Sequence, residues 1–221
     1  MEYKNRIADK LLRDKLEAMG AVLIEGPKAC GKTTTAEQQA KSIIYMDDPV
    51  KQEQYKQMAQ TNIRFLLEGE TPRLIDEWQH VPQFWDAIRF EVDHRDDDGQ
   101  FMLTGSAVPA DMKEIHHTGT GRYGWLTMRP MSLWESGEST GEVSLSDLFL
   151  TPDRIGALNK LTLPMLAFAA CRGGWPKSLQ KKTEKAALSQ VTEYYKAITN
   201  SDISRVDNVK RDEERAKRIM R

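Results

Sequence analysis

The chain has 221 residues, and its 32 Lys and Arg against 33 Asp and Glu leave a formal net charge of -1 at pH 7. This balance excludes a global field that would draw the whole protein to nucleic acid or to a membrane surface, so such a partner would need a local patch. The two widely separated cysteines exclude a disulfide framework, and the charged N-terminus with no apolar run of about 18 residues predicts a cytoplasmic protein without a membrane span.

The first predicted element is an amphipathic helix over residues 7–19, ended by Gly20. Its expected apolar face consists of Ile7, Leu11, Leu12, Leu16 and Met19. A short apolar run at residues 21–26 then predicts a strand buried on both faces, and residues 32–41 read as a helix. The chain therefore begins with the order helix, strand, loop, helix.

Four later apolar runs predict further strands, each preceded by enough chain for a crossover connection. They are residues 42–46, 73–77, 100–106 and 123–130. The first half of residues 109–122 reads as a short helix. Together these elements predict an α/β fold with a five-stranded parallel sheet.

After Ser132 the pattern changes to a polar loop followed by apolar residues at helical spacing, as in "LPMLAFAAC". We therefore place a domain boundary near residue 140. Residues 1–140 are predicted to form a nucleotide-binding core, and residues 141–221 a small all-helical domain that ends in an uncapped, charged stretch.

The loop after the first strand carries the clearest chemical signal, because residues 26–33 match G-x-x-x-x-G-K-[ST] between a strand and a helix. Glycines turn backbone N–H groups toward one point, and the helix adds its positive end, so a triphosphate is the expected ligand. Lys32 is expected to reach the β and γ phosphates, and Thr33 a Mg²⁺ ion. The predicted nucleotide ligands here are Gly26, Pro27, Lys28, Ala29, Cys30, Gly31, Lys32, Thr33 and Thr34.

Two adjacent carboxylates end the predicted strand at residues 73–77. Asp76 is expected to hold the Mg²⁺ ion through its water shell. Glu77 is positioned to polarise a water for attack on the γ phosphate, which favours hydrolysis over binding alone. Thr104 and Ser106 end the next strand, where a hydroxyl would orient that water or would belong to a simple turn.

Five stretches in order carry a resemblance that runs through the whole chain: "GPKACGKTTTA", "RLIDEWQ", "FMLTGSA", "GTGRYGWLTMRPMSLWESGES" and "CRGGWPKSL". This set resembles the prokaryotic AAA+ superfamily ATPases that carry a C-terminal domain of unknown function. The resemblance implies a three-layer α/β/α P-loop core with strand order 5-1-4-3-2, a helical lid with ATP bound between lid and core, and a C-terminal domain that this chain would only begin.

The same resemblance assigns further roles by position. It places Thr104 or Ser106 as the sensor, without deciding between them, and Arg122 where these ATPases carry an arginine finger, acting in cis or in trans. Gly174 and Pro176, in the Gly-Gly-x-Pro element of the lid, are expected against the nucleotide. Arg6 and Ile7 begin the core, where the leader passes near the adenine.

The leading hypothesis is a Mg²⁺-dependent ATPase that converts ATP to ADP and phosphate and acts as a conformational switch. The alternative is a nucleotide-gated binding module with little turnover. A kinase is disfavoured by Glu77, and a GTPase by "NKLT" at residues 159–162, which lacks the aspartate of the guanine signature. A homo-oligomer or a protein partner is compatible with either hypothesis, and DNA stays open because residues 209–218 cluster basic residues among acidic ones.

Overall fold

The computed structural model describes residues 3–95, 97–105, 118–202 and 218, which divide into two compact units. One unit, the sheet unit, contains residues 7–129 and the described residues from 198 onward. The other, the helical unit, contains residues 3–6 and 130–197. The boundary predicted near residue 140 falls inside the helical unit. The short helix expected in the first half of residues 109–122 falls on residues that the structure does not describe, since the described part resumes at residue 118.

The sheet unit is built on five parallel strands in the order β2-β3-β4-β1-β5, which confirms the expected order 5-1-4-3-2 read from the other edge. Each strand begins within one residue of its predicted start. The strands are β1 (Ala21–Glu25), β2 (Ser42–Tyr45), β3 (Arg73–Asp76), β4 (Phe101–Thr104) and β5 (Tyr123–Thr127). Because all pairs are parallel, the carboxyl ends of the strands meet at one edge.

Helices connect these strands and cover both faces of the sheet. They are α1 (Ile7–Leu16), α2 (Lys32–Glu37), α3 (Gln52–Asn62), α4 (Arg64–Leu67) and α5 (Phe84–Arg95), with a 3-10 turn at Trp78–His80. On one face, Leu23 of β1 packs in a cluster with Phe84 and Ile88 of α5. The intervening β1 residues Val22 and Ile24 are also fully buried, as expected for a strand covered on both sides.

The leader helix is shorter than predicted and buries a narrower face. Leu12 and Leu16 are buried together with Ala8, one residue in every turn, where α1 contacts β1 and β5. Ile7 and Leu11 are 51% and 45% exposed, so including them in the apolar face was wrong. A stripe of residues four positions apart is enough to cover the narrow contact that a single helix makes with two strands.

The helical unit contains no strand within its described residues. Its helices are α6 (Leu145–Leu150), α7 (Leu163–Arg172), α8 (Pro176–Leu179) and α9 (Glu184–Ala197). Ser144 and Asp147 form a capping box at the start of α6, and the Thr162 hydroxyl caps α7. Within the described ranges, no helix of either unit has the length and apolar composition that crossing a membrane requires.

Candidate functional site

The loop between β1 and α2 requires glycine at both ends. Gly26 has φ +152°, and a side chain there would collide with the carbonyl oxygen of Met128, which follows β5. Gly31 has φ +105° and is the N-cap residue of α2, and Ala29 between them also has a positive φ of +59°. Three left-handed residues within six positions wrap the backbone tightly at the N-terminus of the helix, where anions bind.

Lys32 is held inside this loop. The residue is only 6% exposed, and Nζ donates hydrogen bonds to the carbonyl oxygens of Gly26, at 2.9 Å, and Pro27, at 3.1 Å. The ammonium charge therefore lies within the turn that the two glycines shape. Cys30 in the same loop is fully buried.

Asp76 is the point where three elements meet. The Thr33 hydroxyl of α2 donates to Asp76 Oδ1 at 2.7 Å, and the Thr104 hydroxyl of β4 donates to the same oxygen. Asp76 and Thr104 are register partners on β3 and β4. Burial raises the pKa of the Asp76 carboxyl, whereas the two hydroxyl hydrogen bonds act in the opposite direction. The result is a buried carboxylate surrounded by oxygen donors.

Glu77 leaves the strand in a different direction from Asp76. Its φ of +53° turns the backbone directly after β3, and Trp78, which is 2% exposed, anchors the turn in the core. The amide Nε2 of Gln79 donates a hydrogen bond to Glu77 Oε2. The two adjacent carboxylates therefore have separate environments, one in the oxygen cluster and one in a half-buried turn at the same edge of the sheet.

Of the two sensor candidates, Thr104 belongs to the cluster around Asp76, whereas Ser106 lies outside the described residues. The structure thus describes the surroundings of only one of them. Thr34, Pro27 and Lys28 belong to the loop and the first turn of α2 that the motif predicted.

Arg122 lies at the opposite edge of the sheet from the loop. It directly precedes β5, whose first residue is paired with Ala21 at the start of β1, and the loop follows the far end of β1. Four residues of strand separate these edges by roughly 13 Å. Arg122 Nε instead donates to Asp93 Oδ1 at 2.7 Å, and this hydrogen bond lowers the pKa of the Asp93 carboxyl. Arg122 therefore does not reach the phosphate loop of its own chain.

In the helical unit, Arg6 forms an ion pair with Glu135 at 2.9 Å, and each side chain is only 5% exposed. Gly174 packs against the backbone of Met131, whose N–H donates to the Gly174 carbonyl at 2.7 Å, and any side chain at position 174 would collide there. Close backbone approach thus explains this glycine within its own unit. Pro176 starts α8. Ile7, in the sheet unit, is half exposed.

Several polar contacts were missed by the sequence analysis. Glu135 pairs with Arg6 across 129 positions, and Glu138 accepts two hydrogen bonds of 2.8 Å from Arg172, which lower the pKa of its carboxyl. The two acids of "WESGE" carried no local indication of their partners. The Tyr45 hydroxyl at the end of β2 donates to Glu37 of α2 at 2.7 Å, and this contact raises the pKa of Tyr45 to about 12.

Comparisons with solved structures agree with the fold. A Walker-type ATPase of Pyrococcus abyssi aligns with 93% of this chain and 76% of its own, at a TM-score of 0.53 and 12% identity. At this identity the similarity concerns the fold alone. PCH-2 of C. elegans aligns with 85% of this chain and 66% of its own at 16% identity, but its TM-score of 0.40 supports no conclusion.

Sequence comparison shows the family to which the chain belongs. No curated protein matches the chain significantly. A family model described as an AAA domain matches residues 19–136, which is more than half of the 221 residues and includes the loop, Asp76 and all five strands. The chain therefore belongs to the AAA domain family of P-loop ATPases.

Proposed function

We propose that the chain binds ATP with Mg²⁺, hydrolyses it to ADP and phosphate, and uses the change of nucleotide as a conformational switch. The hydrogen bond between Thr33 and Asp76 is the observation that carries this proposal. It joins the residue that follows Lys32 to the acid at the end of β3. In P-loop ATPases these two positions hold the metal ion beside the phosphates.

The residues present fit a Mg²⁺ ion. This cation prefers oxygen ligands and keeps several waters, so one hydroxyl and one carboxylate are a sufficient protein contribution. Thr33 and Asp76 supply that pair, with oxygen atoms 2.7 Å apart. The desolvation that raises the pKa of Asp76 is a cost that a bound cation would offset. Bound there, Mg²⁺ would neutralise charge that develops on the β and γ phosphate oxygens.

The remaining steps fall to residues of the loop and the β3 turn. The Lys32 ammonium would exchange its two loop carbonyls for phosphate oxygens, which are stronger acceptors because they are charged. Glu77 would accept a proton from the water that attacks the γ phosphorus. The bond from that phosphorus to the β,γ-bridging oxygen breaks as the new bond forms, and ADP leaves. Thr104 would hold Asp76 in place.

The roles proposed for residues away from this edge of the sheet rest on their positions in the family. Arg6, Ile7, Gly174 and Pro176 would contact ATP or ADP, and Arg122 would act on the nucleotide of a second copy, because its own loop lies beyond its reach. A homo-oligomer is therefore part of the proposed function. The basic stretch that left DNA open lies almost entirely outside the described residues.

Steady-state phosphate release by the wild type and by Glu77→Gln tests the proposal, with ATP affinity measured for both. We expect turnover in the wild type, a large loss in the variant, and similar affinities, because the substitution removes a base without removing a phosphate ligand. Equal rates at equal affinity would instead support the nucleotide-gated binding module.

A further inference from the structure

The side chain of Gln79 connects Glu77 to the end of β4. Its Nε2 donates to Glu77 Oε2, and its other amide atom, Oε1, is buried without a hydrogen-bond partner among the described residues. A Cβ added at Gly105 would collide with this same Oε1. Gln79 is therefore enclosed between the Glu77 carboxylate on one side and the backbone of Gly105 on the other.

The orientation of the amide follows from the charge of Glu77. An ionised carboxylate accepts hydrogen bonds only, so the N–H side of the amide must face it, and the opposite orientation would bring two acceptors together. The buried Oε1 is left without a partner as a consequence, at a cost in stability. A protein retains such a group where the other half of the amide is needed, as at a functional site.

Gly105 immediately follows Thr104, which holds Asp76. Both carboxylates of the β3 turn are thus tied to the end of β4: Asp76 through the Thr104 hydroxyl, and Glu77 through Gln79 packed on Gly105. Glycine at position 105 supplies the space that the amide occupies, and its φ lies outside the left-handed region, so the need is for space rather than for backbone conformation.

We propose that Gln79 is the positioning residue for Glu77 and that it fixes the carboxylate for its part in hydrolysis. Gly105 provides the space in which the Gln79 amide lies. The inference rests on the proposed function, since Glu77 is the base there. Gln79 itself touches neither substrate nor metal in this scheme, and its effect is therefore expected in the chemical step rather than in nucleotide binding.

Steady-state kinetics of two size-matched variants tests this role. Gln79→Met keeps the length but removes the donor, and Gln79→Glu replaces it with a second carboxylate. We expect kcat to fall about tenfold in Gln79→Met and further in Gln79→Glu, with KM for ATP changed less than about twofold, because one charge-assisted hydrogen bond is lost or reversed. Wild-type kcat in both variants would overturn the proposal.

Gly105→Ala tests the packing of the Gln79 amide on Gly105 without altering Gln79 itself. The added methyl group must displace the amide, so we expect the same loss of kcat at constant KM. Gly156→Ala is the matched control, since position 156 has open space and an ordinary backbone conformation. A Gly105→Ala enzyme as active as Gly156→Ala would contradict the packing relationship.

Thermal unfolding of the nucleotide-free proteins tests the contact independently of turnover. Gln79→Glu should lower Tm by about 3 °C in the wild type, through carboxylate repulsion, but not in the Glu77→Gln background, where the new amide can donate to the new carboxylate. An equal loss in both backgrounds would show that Gln79 does not hold Glu77. A coupled pair in a protein without turnover would overturn the ATPase proposal, and with it the positioning role in hydrolysis.

Discussion

The Thr33 hydroxyl donates a hydrogen bond of 2.7 Å to Asp76 Oδ1 and thereby joins the first turn of α2 to the end of β3. β4 lies between β1 and β3 in the sheet, and its Thr104 donates to the same oxygen. One carboxylate oxygen therefore links the phosphate loop, the acid pair and the sensor candidate. Substitution of Thr33, Asp76 or Thr104 is expected to shift the positions of the other two side chains.

Lys32→Ala should abolish ATP binding at micromolar nucleotide, with a loss of affinity on the order of a hundredfold, because the ammonium is the mobile charge of the phosphate loop. Titration with a fluorescent ATP analogue measures the loss. Lys10→Ala is the control, since Lys10 is an exposed residue of α1 and both variants replace one lysine with alanine. Similar affinity in the two variants would mean that the phosphates do not bind at Lys32.

Asp76→Asn should stabilise the nucleotide-free protein at neutral pH. The Asn oxygen still accepts from Thr33 and Thr104, while the buried charge is removed. We expect Tm to rise by about 2–4 °C, the change that about 1 kcal/mol produces in a chain of this size. The same variant should lose the stabilisation that Mg²⁺ with ATP confers on the wild type, and calorimetry with and without both ligands measures the two effects.

The pH dependence of this gain has a definite sign. Burial raises the folded-state pKa of Asp76 above its ordinary value of 3.8, so its contribution to stability is fully present below that value and is lost as pH rises through the folded pKa. The gain in stability from Asp76→Asn should therefore vanish as pH falls toward 3.8.

Asp93→Asn is the opposite case, because Arg122 lowers the pKa of Asp93. That variant should be less stable at neutral pH, and the deficit should disappear in acid.

Arg122→Ala should lower kcat by about a thousandfold or more if the guanidinium acts on a neighbouring copy, and leave ATP affinity nearly unchanged. Mixing it with Lys32→Ala distinguishes this role from a structural one. One variant then supplies an intact loop and the other an intact arginine, and mixed assemblies should recover part of the phosphate release. Full activity of Arg122→Ala alone would show that Arg122 takes no part in hydrolysis and serves only as the ion-pair partner of Asp93.

Glu135→Gln should destabilise the protein by about 3 kcal/mol, because it removes one charge of a buried ion pair while the charge of Arg6 stays buried. Arg6 and Glu135 are each 5% exposed, and the carboxylate also accepts from the Ser132 N–H at 2.7 Å. Urea unfolding measures the change. The same substitution at Glu193, whose pair with Lys196 is exposed on α9, should cost less than about 1 kcal/mol. Equal costs would show that the Arg6 pair is solvated.

Sequence patterns predicted the strands well because their information is local. Short apolar runs bounded by polar residues identified each strand, and the glycine spacing of residues 26–33 identified the loop whose positive φ values the structure shows. Helix faces were predicted less well. Ile7 and Leu11 fit the helical period as well as Leu12 and Leu16 do, and only the neighbouring strands decide which of them is covered.

The amino-acid sequence by itself determined the phosphate loop, the acid pair at the end of β3 and the five strands, since backbone conformation and burial period depend on nearby residues. Only the tertiary structure decided that Thr33 and Thr104 share one oxygen of Asp76, that Gln79 lies between Glu77 and Gly105, and that Arg122 lies at the other end of the strands from its own loop. These relationships depend on strand order and register, which bring distant positions together. No local pattern encodes such distances.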